Sequence, residues 1–146
     1  MNMMKALAGG LAGAVVLTVA HETLRRFVPQ APRMDVLGMR AIAKTMKKVG
    51  KEPPADGDLH TWALVGDVIS NSLYYSLAGT GKGAWLRGGF LGASAGAGAL
   101  LLPGPMGLGS DPSNRSTETQ AMTVGLYLLG GLVAAAVGSA IASEED

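Results

Sequence analysis

Apolar positions along this chain gather into four long runs, separated by short stretches rich in charge, proline or glycine. Ala121 to Ala142 (AMTVGLYLLGGLVAAAVGSAIA) is 22 residues without one formal charge, enough as a helix to cross roughly 30 Å of hydrocarbon. Gly88 to Leu102 is also uncharged and reaches spanning length by taking in Trp85 in front or Pro103 and Met106 behind. Ala6 to Ala20 does so with Lys5 snorkelling to one interface and His21 lying at the other. Leu59 to Leu77 has Asp67 as its one formal charge, and Trp62 with the Tyr74, Tyr75 pair falls at levels suited to the two headgroup zones. The pattern predicts an all-α integral membrane protein: one membrane domain with four transmembrane helices at about residues 4–24, 59–77, 85–103 and 121–142.

A different period governs residues 34–51. After the breakers Pro29 and Pro32, Arg40, Lys44, Lys47 and Lys51 recur at spacings of four, three and four, so they share one helix face. Val36, Met39, Ile42, Ala43, Met46 and Val49 take the other. This is an amphipathic helix, expected to lie at the cytoplasmic membrane surface with its basic side toward anionic headgroups. Packing against the cytoplasmic end of its own protein is a compatible alternative. The breaker segment GKEPPADGD, Gly50 to Asp58, then leads into the next span.

Composition strengthens the membrane reading. Hydrophobic residues make up 48% of the chain but aromatics only 5%, with 22 glycines and a mean hydropathy of +0.28. A water-soluble core would carry more aromatic side chains, and glycine is frequent in transmembrane helices. The absence of cysteine excludes disulfides, thiol catalysis and iron–sulfur ligation. A net charge of +1 without a nucleic-acid-binding signature excludes a nucleic-acid partner.

Charge also sets the expected threading. The segment His21 to Gly57 holds eight of the twelve Lys and Arg residues, which places it in the cytoplasm by the positive-inside rule. A cleavable signal peptide ending at Ala20 would send that segment outside, so an uncleaved first helix is preferred. With four spans, both termini face away from the cytoplasm, in what is expected to be a bacterial inner membrane. The acidic tail Glu144, Glu145 and Asp146 adds little to this, since acidic residues weigh weakly in orientation.

Small residues recur at every fourth position in three of the runs: Gly88, Gly92 and Gly96; Gly130, Ala134 and Gly138; Gly9 and Gly13. Such faces let helix backbones approach closely in lipid, where no hydrophobic drive separates helix from helix. A glycine-rich bundle is expected, with contacts either within one chain or between copies.

Polar residues inside the runs are the candidate chemistry. His60, Asp67, Asn71 and Tyr74 fall on one face of a helix at spacings of seven, four and three. Asp67 lies roughly 12 Å along the helix from Leu59 at 1.5 Å per residue, so an ionised carboxylate there is costly and should face the protein interior. Its expected partners are Asn71, one turn on, and Thr123 or Tyr127 across the bundle. An ion, proton or small-solute site is one reading of this stripe, and interhelical glue is the other.

Two further clusters stand at the cytoplasmic side. HETLRR supplies His21, Glu22, Arg25 and Arg26, and convergence with His60 would assemble His21, Glu22 and His60 as a three-ligand set. Without motif spacing that set is weak, and a solvated helix end anchored to lipid phosphate is the expected account, with neither metal nor cofactor. In SDPSNRSTETQ, Asp111 and Pro112 suit a turn, while Thr117 with Gln120 matches a capping box for the last helix. Asn114, Arg115 and Glu118 are the residues there that would line a cytoplasmic mouth. AGTGKGA lacks the phosphate-loop spacing and GASAGAG lacks a preceding strand, so neither is a nucleotide motif.

The function expected from these features is an oligomeric channel or transporter for an ion or small solute. The alternative is a non-enzymatic membrane scaffold that binds partner helices and anionic lipid. An enzyme acting on lipid, with His21, Glu22, His60 and Asp67 as acid–base groups, ranks behind both.

Overall fold

The computed structural model describes residues 2–144; Glu145 and Asp146 of the acidic tail lie outside them. The protein is all-helical, 77% helix, with no strand among the described residues. Its helices are α1 (Met3–Phe27), α2 (Met34–Lys48), α3 (Asp56–Ser76), α4 (Ala84–Leu101), the one-turn α5 (Asp111–Asn114) and α6 (Thr117–Ser143). Two of them, α1 and α6, are long and apolar enough to cross a membrane.

The boundaries follow local chemistry. The Asn2 side chain caps α1 by accepting from the Met4 and Lys5 amides, at 3.0 and 3.3 Å. The start of α6 differs from the predicted capping box. Ser116, one residue earlier, is the cap and accepts from the Thr119 amide at 3.1 Å, while Gln120 turns away to Asn114. Residues 102–110, between α4 and α5, fold back over α2. Gly107 and Gly109 permit this with φ of 77° and 82°, a region side chains disfavour.

The long helices alternate in direction, which the glycine contacts make plain. A Cβ added at Gly9 would stand 2.8 Å from the Ala134 carbonyl oxygen and one at Gly13 would strike that of Gly130, so α1 runs antiparallel to α6. Gly92 and Gly96 similarly lie against the Leu128 and Val124 backbones, where a Cβ would come within 2.7 and 2.9 Å, and Gly88 abuts Gly131. Gly10 meets the Ser72 and Ser76 backbone of α3. α6 therefore packs on both sides, with Gly131 and Ala135 toward α4 and Gly130, Ala134 and Gly138 toward α1. These small-residue contacts fall within the chain.

Between α1, α3 and α6 lies a small core of Leu17, Tyr75, Leu126 and Ala134. By contrast, α3 and α4 touch little. The row α3–α1–α6–α4 thus leaves a cleft on one side. One end of the row carries α2, α5 and the long loops, and the opposite end carries the 77–83 turn, the start of α1 and the end of α6.

Candidate functional site

At the looped end, the last turn of α1, the start of α2 and the first turns of α3 bring six ionisable side chains together. Asp35 is fully buried. It follows Arg33 by two residues at the start of α2, and that spacing lets the guanidinium fork grip both carboxylate oxygens, Nε to Oδ1 at 2.9 Å and Nη2 to Oδ2 at 2.8 Å. Burial pushes the Asp35 carboxyl up, but the hydrogen bonds and charge of Arg33, backed by His21 and Arg25, more than offset this. Its pKa therefore lies below the ordinary value and Asp35 is ionised at neutral pH.

Arg25, in the last turn of α1, places both Nε and Nη2 on Oε2 of Glu22, at 2.9 and 2.7 Å. The other oxygen, Oε1, is buried without a hydrogen-bond partner. It faces His21 Nδ1 and His60 Nε2, each 3.7 Å away. His60 Nε2 also lies 3.5 Å from Asp35 Oδ2 and 3.4 Å from Arg25 Nη2. Because arginine can only donate, the contact to Arg25 requires an unprotonated His60 Nε2. His21 is itself buried, its Nε2 3.0 Å from the Pro32 carbonyl and 3.1 Å from the Met34 amide, so it ties the α1–α2 corner in either tautomer.

The second polar region is the cleft between α3 and α4, about 640 Å³ in volume. Asp67, Asn71 and Tyr74 of α3 line it with Ser94 of α4 and Tyr127 of α6, and Gly38 of α2 roofs it above Asp67. Tyr74 crosses the cleft to donate to the Leu91 carbonyl at 2.7 Å. The Asp67 carboxylate accepts no hydrogen bond from any described residue. It makes no hydrogen bond with the expected partners Asn71, Thr123 and Tyr127, although Asn71 and Tyr127 line the same cleft. Asn71 leaves it free, and the Thr123 hydroxyl is used on the Ser113 and Thr119 carbonyls, both at 2.8 Å.

The structure divides the predicted stripe. Asp67, Asn71, Tyr74 and Tyr127 share the cleft, whereas His60 belongs to the ionic cluster. His21, Glu22 and His60 do converge, but the cluster is packed rather than solvated: His21 is 4% exposed, and only Arg26 and, in part, Arg33 reach outward, with 66% and 41% of their side chains exposed. On α2, Arg40 and Lys44 do not project as free headgroup ligands, since they donate to the Leu108 and Met106 carbonyls and pin the folded-back loop. Lys47 and Lys51 stay exposed. Arg115 clamps the Pro29 and Ala31 carbonyls, and Asn114 donates to the Leu100 carbonyl, so both hold loops together, while Glu118 is exposed.

Asp35, central to these regions, carried no obvious mark in the sequence, and Tyr75, expected with Tyr74 at a headgroup level, is instead fully buried. Asp35 looks like an ordinary acidic residue of a first helical turn, and the Arg33 two positions earlier was its only local signal. Tyr75, buried completely, donates to the Tyr127 carbonyl at 2.7 Å and fits its ring against Gly130, where a Cβ would come within 2.8 Å. The glycine opposite was its signal. No protein-family model, curated protein or solved structure matches this chain.

Proposed function

We propose that this chain is a small polytopic membrane protein in which α1, α3, α4 and α6 all span the bilayer as a glycine-packed bundle, and that it serves as the subunit of an oligomeric channel or transporter. The cleft around Asp67 is its ion or small-solute site. The observation that carries this reading is a carboxylate without a hydrogen bond, facing a largely apolar cleft of about 640 Å³ that also takes in Asn71, Ser94 and Tyr127, between two helices that barely touch. Carboxylates within membrane-spanning helices are expensive, and they concentrate on pathways for ions and protons. The open side of the cleft is the surface on which a second copy would complete a pathway.

Threading follows from charge. Nine of the twelve Lys and Arg residues lie at the looped end, and the other three, Lys5, Lys82 and Arg87, at the opposite end. The looped end is then cytoplasmic, the start of α1 and the end of α6 face the opposite side of a bacterial inner membrane, and α2 lies at the interface with its Lys47, and Lys51 three residues past its end, toward anionic headgroups. Reporter fusions at both ends test this, and a cytoplasmic C-terminus would overturn it. For the site, purified protein in liposomes is expected to pass an ion or solute, with flux lost in Asp67→Asn; equal flux in the variant removes Asp67 from the mechanism.

The scaffold reading keeps one specific support. Leu77, just past α3, and Leu86, Arg87, Phe90 and Leu91 of α4 frame a largely apolar recess of about 430 Å³, a shape suited to a partner helix. Native mass spectrometry from mild detergent distinguishes the two, because a scaffold co-purifies with a different membrane protein and gives no flux.

A further inference from the structure

We infer that Glu22, Asp35 and His60 form a binding site for one divalent transition-metal ion, joining α1, α2 and α3 at the looped end. Each offers one donor atom, and the three atoms lie within 4.8 Å of one another. Around a tetrahedral ion with bonds of about 2.0 to 2.2 Å, neighbouring ligand atoms sit roughly 3.4 Å apart. His60 Nε2 is already 3.5 Å from Asp35 Oδ2 and 3.7 Å from Glu22 Oε1. Small side-chain rotations close the remainder.

Three separate features aim these atoms at a common centre. Glu22 Oε1 is buried and has no hydrogen bond, a state that costs free energy unless something else satisfies it. His60 Nε2 lies 3.4 Å from Arg25 Nη2, and accepting from that guanidinium takes the tautomer whose Nε2 lone pair points to the centre, the one a metal ligand needs. Each carboxylate is also oriented by an arginine, Glu22 through Oε2 by Arg25 and Asp35 through both oxygens by Arg33, so that Asp35 Oδ2 would serve Arg33 and the ion together. Outer hydrogen bonds of this kind orient metal ligands. A mixed set of one imidazole and two carboxylates suits a transition ion better than Mg²⁺ or Ca²⁺, which favour oxygen alone.

Arg25 and Arg33 set the limit on affinity, since their charges already balance the two carboxylates. The Arg25 guanidinium borders all three ligands, bonded to Glu22, 3.4 Å from His60 Nε2 and 3.8 Å from Asp35 Oδ2, and must turn away from His60 as the ion enters. The fourth ligand position is left to water.

The test is titration of the full-length protein in detergent with Zn²⁺ by calorimetry, paired with Co²⁺ as a spectroscopic probe. One Zn²⁺ per chain is expected, with the intense visible absorption of four-coordinate Co²⁺ in the wild type. His60→Ala should weaken binding by more than the roughly 10- to 100-fold typical of lost outer contacts. His60 is partly exposed, and Glu22→Gln, which preserves size and a hydrogen-bonding oxygen, should weaken binding as well. A wild-type protein that binds no Zn²⁺, gives only the faint spectrum of six-coordinate Co²⁺, or binds as well after His60→Ala, would overturn the inference. None of these readouts depends on transport.

Discussion

The α4–α6 contact and the α3–α4 gap are built from the same kind of element yet have opposite outcomes. Along α4, Gly88, Gly92 and Gly96 let the α6 backbone come into direct contact. On its other side, α4 meets the face of α3 that carries Asp67, Asn71 and Tyr74, and there the helices stand apart with a single tyrosine bridge, Tyr74 to the Leu91 carbonyl. Close approach requires absent side chains, whereas an open cleft requires present ones that do not interdigitate. One helix borders both, so the packed face fixes the wall against which the cleft stays open.

The contrast breaks most severely at Gly131. A side chain there meets the Gly88 carbonyl and the backbone of α4, so Gly131→Val is expected to cost about 3 kcal/mol or more and to separate the two helices. Reversible unfolding in mixed micelles measures it, and a variant as stable as the wild type would refute backbone contact. Arg33→Met comes next. It leaves the buried Asp35 carboxylate without its main partner, which costs about 3 kcal/mol at the low end of broken buried pairs because Arg33 is itself 41% exposed. Restored stability in Arg33→Met with Asp35→Leu would show that the uncompensated charge is the cause.

Tyr75→Phe probes the α3–α6 seam and should lose about 1 kcal/mol, since it leaves the ring in place and deletes one buried hydrogen bond. Gly125→Ala sharpens the comparison from the other side. Nothing lies within 4 Å of the added methyl, so the change should stabilise α6 by up to about 1 kcal/mol through helix propensity. Loss of stability there would mean that glycine in α6 serves something other than contact with α1, α3 and α4.

Much of this architecture was legible because it rests on local rules. Charge-free length announced α1 and α6, and the breakers at Pro29, Pro32 and Gly50 to Asp58 marked out α2. Glycine spacing named the positions of closest approach because a missing Cβ acts wherever it stands, although the partner of each had to await three dimensions. Asp67, Asn71 and Tyr74 shared a face by period alone, and they share the cleft. Asp35 was hidden because its burial depends on α1 and α3 closing over the start of α2, a contact between segments far apart in sequence. The same reason hid the role of Arg40 and Lys44. Their helical face was evident, but the carbonyls they bind belong to a loop more than sixty residues away that folds back through Gly107 and Gly109.

The alternating directions of the four long helices bring the start of α1 and the finish of α6 to the same side of the molecule, with Gly9 against Gly138. Two copies joined head to tail by a short linker therefore keep a common orientation, with neither required to invert. Such concatemers can fix the number and order of subunits covalently, so one damaged copy can be counted against intact neighbours within a single assembly.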